Sequence, residues 1–314
     1  MSTSHHEHTR ATLPPPRTDE VADGVFAYVQ PDGTWWINNC GFIAAGRQVV
    51  AIDTCSTERR TRAYLSEVER LTGRLPGLLV NTHHHGDHTN GNCLLPDATV
   101  IGHERCRTEV LATGILRPDG VFETVDWGDL EPAAPFVTFS DRLDLWVGDL
   151  RVELHHLTDA AHTTNDVVAW IPDRKVLYTG DLVFNGGTPF VLMGSVAGSL
   201  EALDRIVQFD ADVLVPGHGG PIGREGVDVV GRYLRFVQLL AEEGSRSGLT
   251  PLELARSTDL GEFGELSDSE RLVGNLHRAY AECSGARPGA PIDILAAFVD
   301  MMELNGGRPL RCMA

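Results

Sequence analysis

The run Thr82-His83-His84-His85-Gly86-Asp87-His88 packs imidazoles and a carboxylate into a few consecutive residues. Imidazole nitrogens and carboxylate oxygens are the ligand set of zinc and other borderline divalent ions. The apolar stretch at residues 78–80 reads as a strand that runs straight into this motif. Two-residue spacing puts His83 and His85 on one face of the emerging loop, Gly86 lets the chain turn tightly, and Asp87 and His88 begin a helix. Three later positions extend the set, each read at the end of an apolar run: His162 in Ala161-His162-Thr163, Asp181 in Thr179-Gly180-Asp181, and His218 in Pro216-Gly217-His218-Gly219. The candidate metal ligands are therefore His83, His85, Asp87, His88, His162, Asp181 and His218. They are too many for one tetrahedral ion. The expectation is two ions, chiefly zinc, with iron as the alternative loading. A pair roughly 3.5 to 4 Å apart brings a shared water close to ionising at neutral pH.

Positioning these residues requires a particular set of elements. Short apolar runs at residues 25–29, 35–45 and 49–52, separated by Gly, Asp and Pro turn signals, read as a β-meander. Tyr64, Leu65, Val68 and Leu71 recur at helical spacing behind Ser56 and Thr57, which places a helix at residues 57–71. Further strands are expected at 99–101, 151–157, 167–171, 176–178 and 213–215, with helices near 104–112 and 200–209. Strands alternating with helices, beside hairpins, favour a layered α/β architecture over an all-β one. Beyond Arg224 the pattern turns helical, at 229–243, 251–256, 267–282 and 291–304. Residues 1–18, with three histidines and Pro14-Pro15-Pro16, read as a mobile tail. Three parts follow: a tail at 1–18, a core domain at 19–223 and a helical extension at 224–314 packed on it.

In this order the ligands resemble the metallo-β-lactamase superfamily, over roughly residues 25–223. The resemblance implies an αββα sandwich with its metals at one edge of the sheets, carrying here a C-terminal helical appendix. It implies that His83, His85 and His162 hold one ion, that Asp87, His88 and His218 hold the other, and that Asp181 bridges them. Asp87 and Asp181 are then the catalytic carboxylates, the first orienting the attacking oxygen and the second setting the metal separation. True β-lactamases of the family carry a cysteine or another altered residue at the bridging position, whereas its thioesterase and glyoxalase II-like branches carry aspartate. Asp181 thus argues against antibiotic hydrolysis.

Candidate substrate contacts are Trp35 and Trp36, in the strip at residues 32–39, and Phe184, Asn185, Phe190 and Met193, in the glycine-hinged loop after Asp181. Such residues suit a large, flat, hydrophobic group. Together with residues 90–96 and 114–120, these segments are similar to metallo-β-lactamase-type cyclase/thioesterases of aromatic (type II) polyketide biosynthesis. That similarity implies aldol closure of an aromatic ring and release of the product from an acyl carrier protein. The alternative is a glyoxalase II-like hydrolase of small thioesters or lactones. Arg59, Arg60 and Arg62, or Arg105 and Arg107, are the candidate carrier contacts, and Asn165 or Asp166 is expected to orient His162.

A formal net charge of -18 opposes nucleic acid and anionic lipid, so neither is expected as a partner. No window reaches the roughly 20 apolar residues of a membrane helix, and residues 1–16 lack an apolar leader. Six cysteines without a CxxC pair point to a reduced cytoplasm. Nothing in the sequence sets the oligomeric state.

Overall fold

Val25, Ala27 and Val29 alternate along one strand and Val152 and Leu154 along another, and both sets point into a single apolar layer between two sheets. In a computed structural model, which describes residues 13–314, the first sheet has the order β1 (Arg17–Ala22), β2 (Val25–Val29), β3 (Cys40–Ala45), β4 (Gln48–Ile52), β5 (Leu78–Val80), β6 (Thr99–His103), β7 (Val137–Phe139). Strands β1 to β4 run antiparallel; β4 to β7 run parallel. The second sheet has the order β12 (Val213–His218), β11 (Val176–Phe184), β10 (Val167–Ile171), β9 (Leu150–His156), β8 (Arg142–Val147). Only its β11–β12 pair is parallel.

Helices cover the outer faces. On the first sheet α1 (Glu58–Thr72) buries Tyr64, Leu65 and Val68 against Phe42, Ala51 and Leu79. Thr57 caps it by accepting the Arg60 N–H, and Gly73 ends it at φ 75°, where a side chain would be strained. The short α2 (Gly86–Thr89) and α3 (Glu104–Thr113) follow β5 and β6. On the second sheet lie α4 (Val196–Ile206), α5 (Glu225–Ser247), α6 (Pro251–Ser257), α7 (Arg271–Cys283) and α8 (Ile294–Leu304). Their apolar faces share a core with Leu177, Leu182 and Leu214 of the sheet. The result is an α/β sandwich of αββα type with added C-terminal helices. None of the described helices is long and apolar enough to cross a membrane, and all six cysteines are free.

Several elements differ from the sequence expectation. Strand β1 starts at Arg17, inside the segment read as a tail, and pairs with β2 from Arg17↔Val29 onward; residues 1–12 lie outside the described residues. The strand expected at 35–45 starts only at Cys40, because the Asn38 and Asn39 amides hold the preceding segment as a loop by donating to Thr54 O at 2.8 Å and Pro216 O at 2.9 Å. The strand expected to stop at 178 continues to Phe184. Asp181 therefore sits inside β11, just after an irregularity at Gly180 (φ 52°), and not in a loop. Strands β7 and β8 are edge elements: β7 is short and mostly exposed, whereas β8 alternates Leu143, Leu145 and Val147 toward the core, a strand signal the sequence reading passed over.

Candidate functional site

Four segments bring the seven candidate ligands to one place: the β5–α2 turn (His83, His85, Asp87, His88), the β9–β10 connection (His162), β11 (Asp181) and the end of β12 (His218). Their ligand atoms form two groups, His83, His85, His162, Asp181 and Asp87, His88, His218, with the atoms of each group within 4.8 Å of one another. In the first, His85 Nδ1 lies 3.1 Å from His83 Nε2 and 2.8 Å from His162 Nε2. In the second, Asp87 Oδ2 lies 3.3 Å from His218 Nε2 and 3.8 Å from His88 Nε2. Asp181 reaches both. Its Oδ2 is 3.3 Å from His162 Nε2 and 3.4 Å from His218 Nε2, while Oδ1 is 3.2 Å from His88 Nε2. Gly217 makes room for this carboxylate: a Cβ there would lie 1.8 Å from Asp181 Oδ1.

The far nitrogens of the imidazoles determine what the near ones offer. His162 Nδ1 donates to the Phe190 carbonyl, and His218 Nδ1 donates to the Gly33 carbonyl at 3.0 Å. A carbonyl only accepts, so both rings carry a proton on Nδ1, which leaves Nε2 as the atom that can face a metal. His88 Nδ1 donates to Asp53 Oδ2 at 2.8 Å, which likewise leaves Nε2 as the atom facing the cluster. Asp53 Oδ2 also accepts from Thr82 Oγ1 at 2.7 Å, and Asp53 Oδ1 from Thr82 N at 2.7 Å. With its proton committed to Asp53, the Thr82 hydroxyl accepts from His83 Nδ1 at 3.1 Å. One buried carboxylate thus fixes two of the imidazoles.

The electrostatics divide the cluster: His88 is desolvated, but Asp181, Asp53 and Asp87 hold it well above the usual imidazole range, so it keeps a proton until an ion displaces it. Burial, then the neighbouring His88, pushes His83 well below the usual imidazole range, and burial, then His162, does the same to His85. Both stay neutral. Burial opposes ionisation of Asp181 and Asp87, yet the surrounding imidazoles hold both carboxyls below their ordinary value. His218 is desolvated, but Asp181 and Asp87 raise it to about 9. A divalent ion must therefore displace a proton from His218, which makes its binding pH-dependent.

This donor set fits a pair of divalent ions. His88 Nε2 and Asp181 Oδ1 are buried and lack a hydrogen-bond partner among the described residues, although they face each other. Nitrogen lone pairs as close as those of His85 and His162 repel unless a cation or proton lies between them.

A cavity of about 550 Å³ opens directly on the cluster. Its walls come from the loop between β2 and β3 (Trp35, Trp36), the end of β11 (Phe184), the segment after it (Phe190, Met193) and α8 (Phe298). Asn185, expected as a substrate contact, does not line it: the side-chain amide donates to Gly220 O at 2.9 Å and ties two loops together. Asn165 and Asp166 do not orient His162. Asp166 accepts from Thr163 N and Oγ1 at 2.8 and 2.7 Å, and Asn165 contacts His84 Nδ1 at 3.0 Å. The arginines are engaged elsewhere too. Arg60 donates to Gln30 and to Met313 O, Arg62 pairs with Glu58, Arg105 clasps Asp159, and Arg107 donates to Pro135 O. None of these, nor Arg59, lines the cavity.

Sequence reasoning missed Asp53, Phe122, Arg271 and Phe298. Asp53 had a legible signal, a carboxylate directly after the apolar run of β4. The other three come from segments distant in the chain and had none.

The model of the Metallo-beta-lactamase superfamily matches residues 33–218, a span that holds all seven ligands. A linear primary-alkylsulfatase of Pseudomonas is 25% identical over 261 residues, covering 69% of this chain and 49% of the relative, so the chain spans about half that protein's length. An acyl-coenzyme A thioesterase of Homo sapiens is 25% identical over 235 residues, 62% of this chain and 81% of the relative. Among solved structures, a metallo-β-lactamase from Pontibacter korlensis superposes with a TM-score of 0.59 at 19% identity, over 70% of this chain and 99% of that one. At that identity the likeness speaks for the fold alone. With the sandwich, the ligand order and the family model in agreement, the chain belongs to the metallo-β-lactamase superfamily.

Proposed function

We propose that this protein is a di-zinc hydrolase of thioesters with large apolar acyl groups. One observation carries the reading: five of the seven cluster residues, His85, Asp87, His162, Asp181 and His218, line a cavity whose walls are largely aromatic and aliphatic. An acyl chain buried there leaves its thioester carbonyl over the cluster. Two bound zinc ions supply Lewis acidity to that carbonyl and lower the pKa of water. When loaded, His83, His85 and His162 would hold one ion and Asp87, His88 and His218 the other, with Asp181 within reach of both. Asp87, which keeps 13% side-chain exposure against 5% for Asp181, orients the attacking water and takes its proton. Trp35 and Trp36, 7% and 9% exposed, exclude bulk water from the reacting carbonyl.

The acyl-coenzyme A thioesterase among the relatives supports the choice of bond. The finer form of the proposal, cyclisation and release of an aromatic polyketide from an acyl carrier protein, rests on the similarity of residues 32–39, 90–96, 114–120 and 184–193 to that branch, and a cytoplasmic setting on the sparse, unpaired cysteines. Carrier docking through Arg59, Arg60, Arg105 or Arg107 loses ground, since Arg60, Arg105 and Arg107 are committed to internal contacts. A small polar thioester of the glyoxalase II type would leave the aromatic walls wet.

The test is turnover of acyl-coenzyme A thioesters of increasing chain length beside nitrocefin, with zinc-loaded protein. A kcat/KM that rises with chain length and exceeds that for nitrocefin is expected; faster cleavage of the β-lactam overturns the proposal.

A further inference from the structure

Apart from the ligand cluster and the two indoles, the polar side chains that line the cavity are those of His84, Glu109, Thr113 and Arg271. Arg271 is committed to the fold: Nη1 donates to Thr188 O at 2.9 Å and Nη2 lies 2.9 Å from Asp268 Oδ2. The other three are uncommitted. His84 Nε2, the Glu109 carboxylate and the Thr113 hydroxyl make no hydrogen bond or ion pair among the described residues, and His84 Nε2 is not shut off from solvent.

These three groups share one flank. Glu109 and Thr113 stand four residues apart on α3 and so lie on one face of it. Arg105, one turn earlier, donates to Thr164 O at 3.1 Å, and the adjacent Asn165 donates from Nδ2 to His84 Nδ1 at 3.0 Å, which sets this helix beside His84. The walls supplied by Trp36, Phe122, Phe190, Leu295 and Phe298 are apolar. The cavity therefore has two chemically different sides.

His84 is braced although it belongs to neither ligand group. Its ring centroid is 4.7 Å from that of the ligand His85. Asn165 is fully buried, and its amide N–H can only donate, so Nδ1 of His84 is the acceptor and Nε2 carries the proton. Thr163 Oγ1 accepts from Asn165 N at 3.1 Å and donates to Asp166 Oδ1 at 2.7 Å. Asn165 and Asp166, expected from the sequence to orient His162, thus hold His84 with a donor left over for the cavity.

We propose that His84 and Glu109 are specificity-determining residues for the thiol half of the substrate. The Nε2–H of His84 donates to the carbonyl of a secondary amide carried on the thiol arm, and the Glu109 carboxylate accepts its N–H, while the acyl group lies against the apolar walls. A secondary amide offers one acceptor and one donor, which matches this pair. A plain alkyl thiol would strip water from both groups and give nothing back. The inference rests on the thioesterase reading for the bond that is broken, but the recognition requires no cleavage.

Thioethers, which cannot be hydrolysed, test the recognition alone. Calorimetric titration of the zinc-loaded protein uses S-octyl-N-acetylcysteamine and the matching ketone, in which a methylene replaces the amide N–H. The amide should bind about fivefold more tightly, the size of one hydrogen bond. Glu109→Ala should weaken the amide alone and bring the ratio close to one. His84→Phe, which keeps a flat ring, should weaken both probes about fivefold, with elemental analysis and a thermal melt checking that metal and fold are retained. If His84→Phe loses metal, Glu109→Ala decides. Equal affinity for the two probes in the wild type, or no binding of either, overturns the proposal, as does an amide preference that survives Glu109→Ala or a metal-loaded His84→Phe that binds both probes like wild type. An amide preference removed by Glu109→Ala, without hydrolysis of octanoyl-N-acetylcysteamine by the wild type, supports the subsite and refutes the thioesterase reading.

Discussion

Replacing Asp53 by Asn tests how the cluster is held without touching any ligand. The carboxylate is buried and accepts three hydrogen bonds, from Thr82 N, Thr82 Oγ1 and His88 Nδ1. In Asp53→Asn the carbonyl oxygen stays with Thr82 N, and an NH2 group then faces two donors. To avoid that clash, His88 must move its proton to Nε2, where it points at Asp181 and blocks the lone pair a metal needs. The Thr82 hydroxyl likewise loses its acceptor, which loosens His83. Removing such a partner typically lowers metal affinity about 10- to 100-fold, equivalent to about 1.4 to 2.7 kcal/mol. The loss should fall mainly on the ion bound by Asp87, His88 and His218. Competition for zinc against a chromophoric chelator, with elemental analysis of the dialysed protein, measures both steps. Wild-type affinity for both ions in Asp53→Asn would refute the argument that this carboxylate fixes the His88 tautomer.

Wild-type protein should carry close to two zinc per chain, and Asp181→Ala should lose metal from both groups together, because Asp181 lies within 3.4 Å of ligands in each; elemental analysis showing full occupancy would remove the bridging role. A pH effect is expected from His103, whose imidazole burial and then the neighbouring His156 depress to about 4. Its Nδ1 accepts the Arg105 N–H at the start of α3 while Nε2 donates to Ser140 O, so it serves the fold only when neutral. With the folded value below the unfolded one, its stabilising contribution is complete above about pH 6.5 and is lost as pH falls toward about 4. His103→Asn, which can still cap the helix, should flatten the melting temperature over that window relative to wild type; parallel curves would contradict this. Among the substrates, shortening the acyl chain should raise KM more than it lowers kcat, since the chain contacts only walls remote from the cluster, and a chain-length effect confined to kcat would count against that division.

The candidate metal ligands were legible because metal chemistry admits few residue types and His83, His85, Asp87 and His88 crowd into six residues directly after β5. His162 and His218 were readable for the same reason, as isolated imidazoles beside strands. The layered α/β class followed from alternating apolar runs, and the C-terminal helices from their period. Other features depended on contacts between segments far apart in the chain. Asp53 is unremarkable in sequence and acquires its role only because β4 and β5 lie side by side, which brings it within 2.8 Å of His88. Asn185 sat in the right segment but turns toward Gly220, a matter of rotamer that no pattern encodes. The cavity depends most on the tertiary structure. Phe298 on α8 and Arg271 on α7 meet Trp35 across more than half the chain, and Phe122 meets it from a third segment. Apolar periodicity says that a face is buried but not against what, so ligand identity was set locally while the shape of the space above the metals was decided by packing.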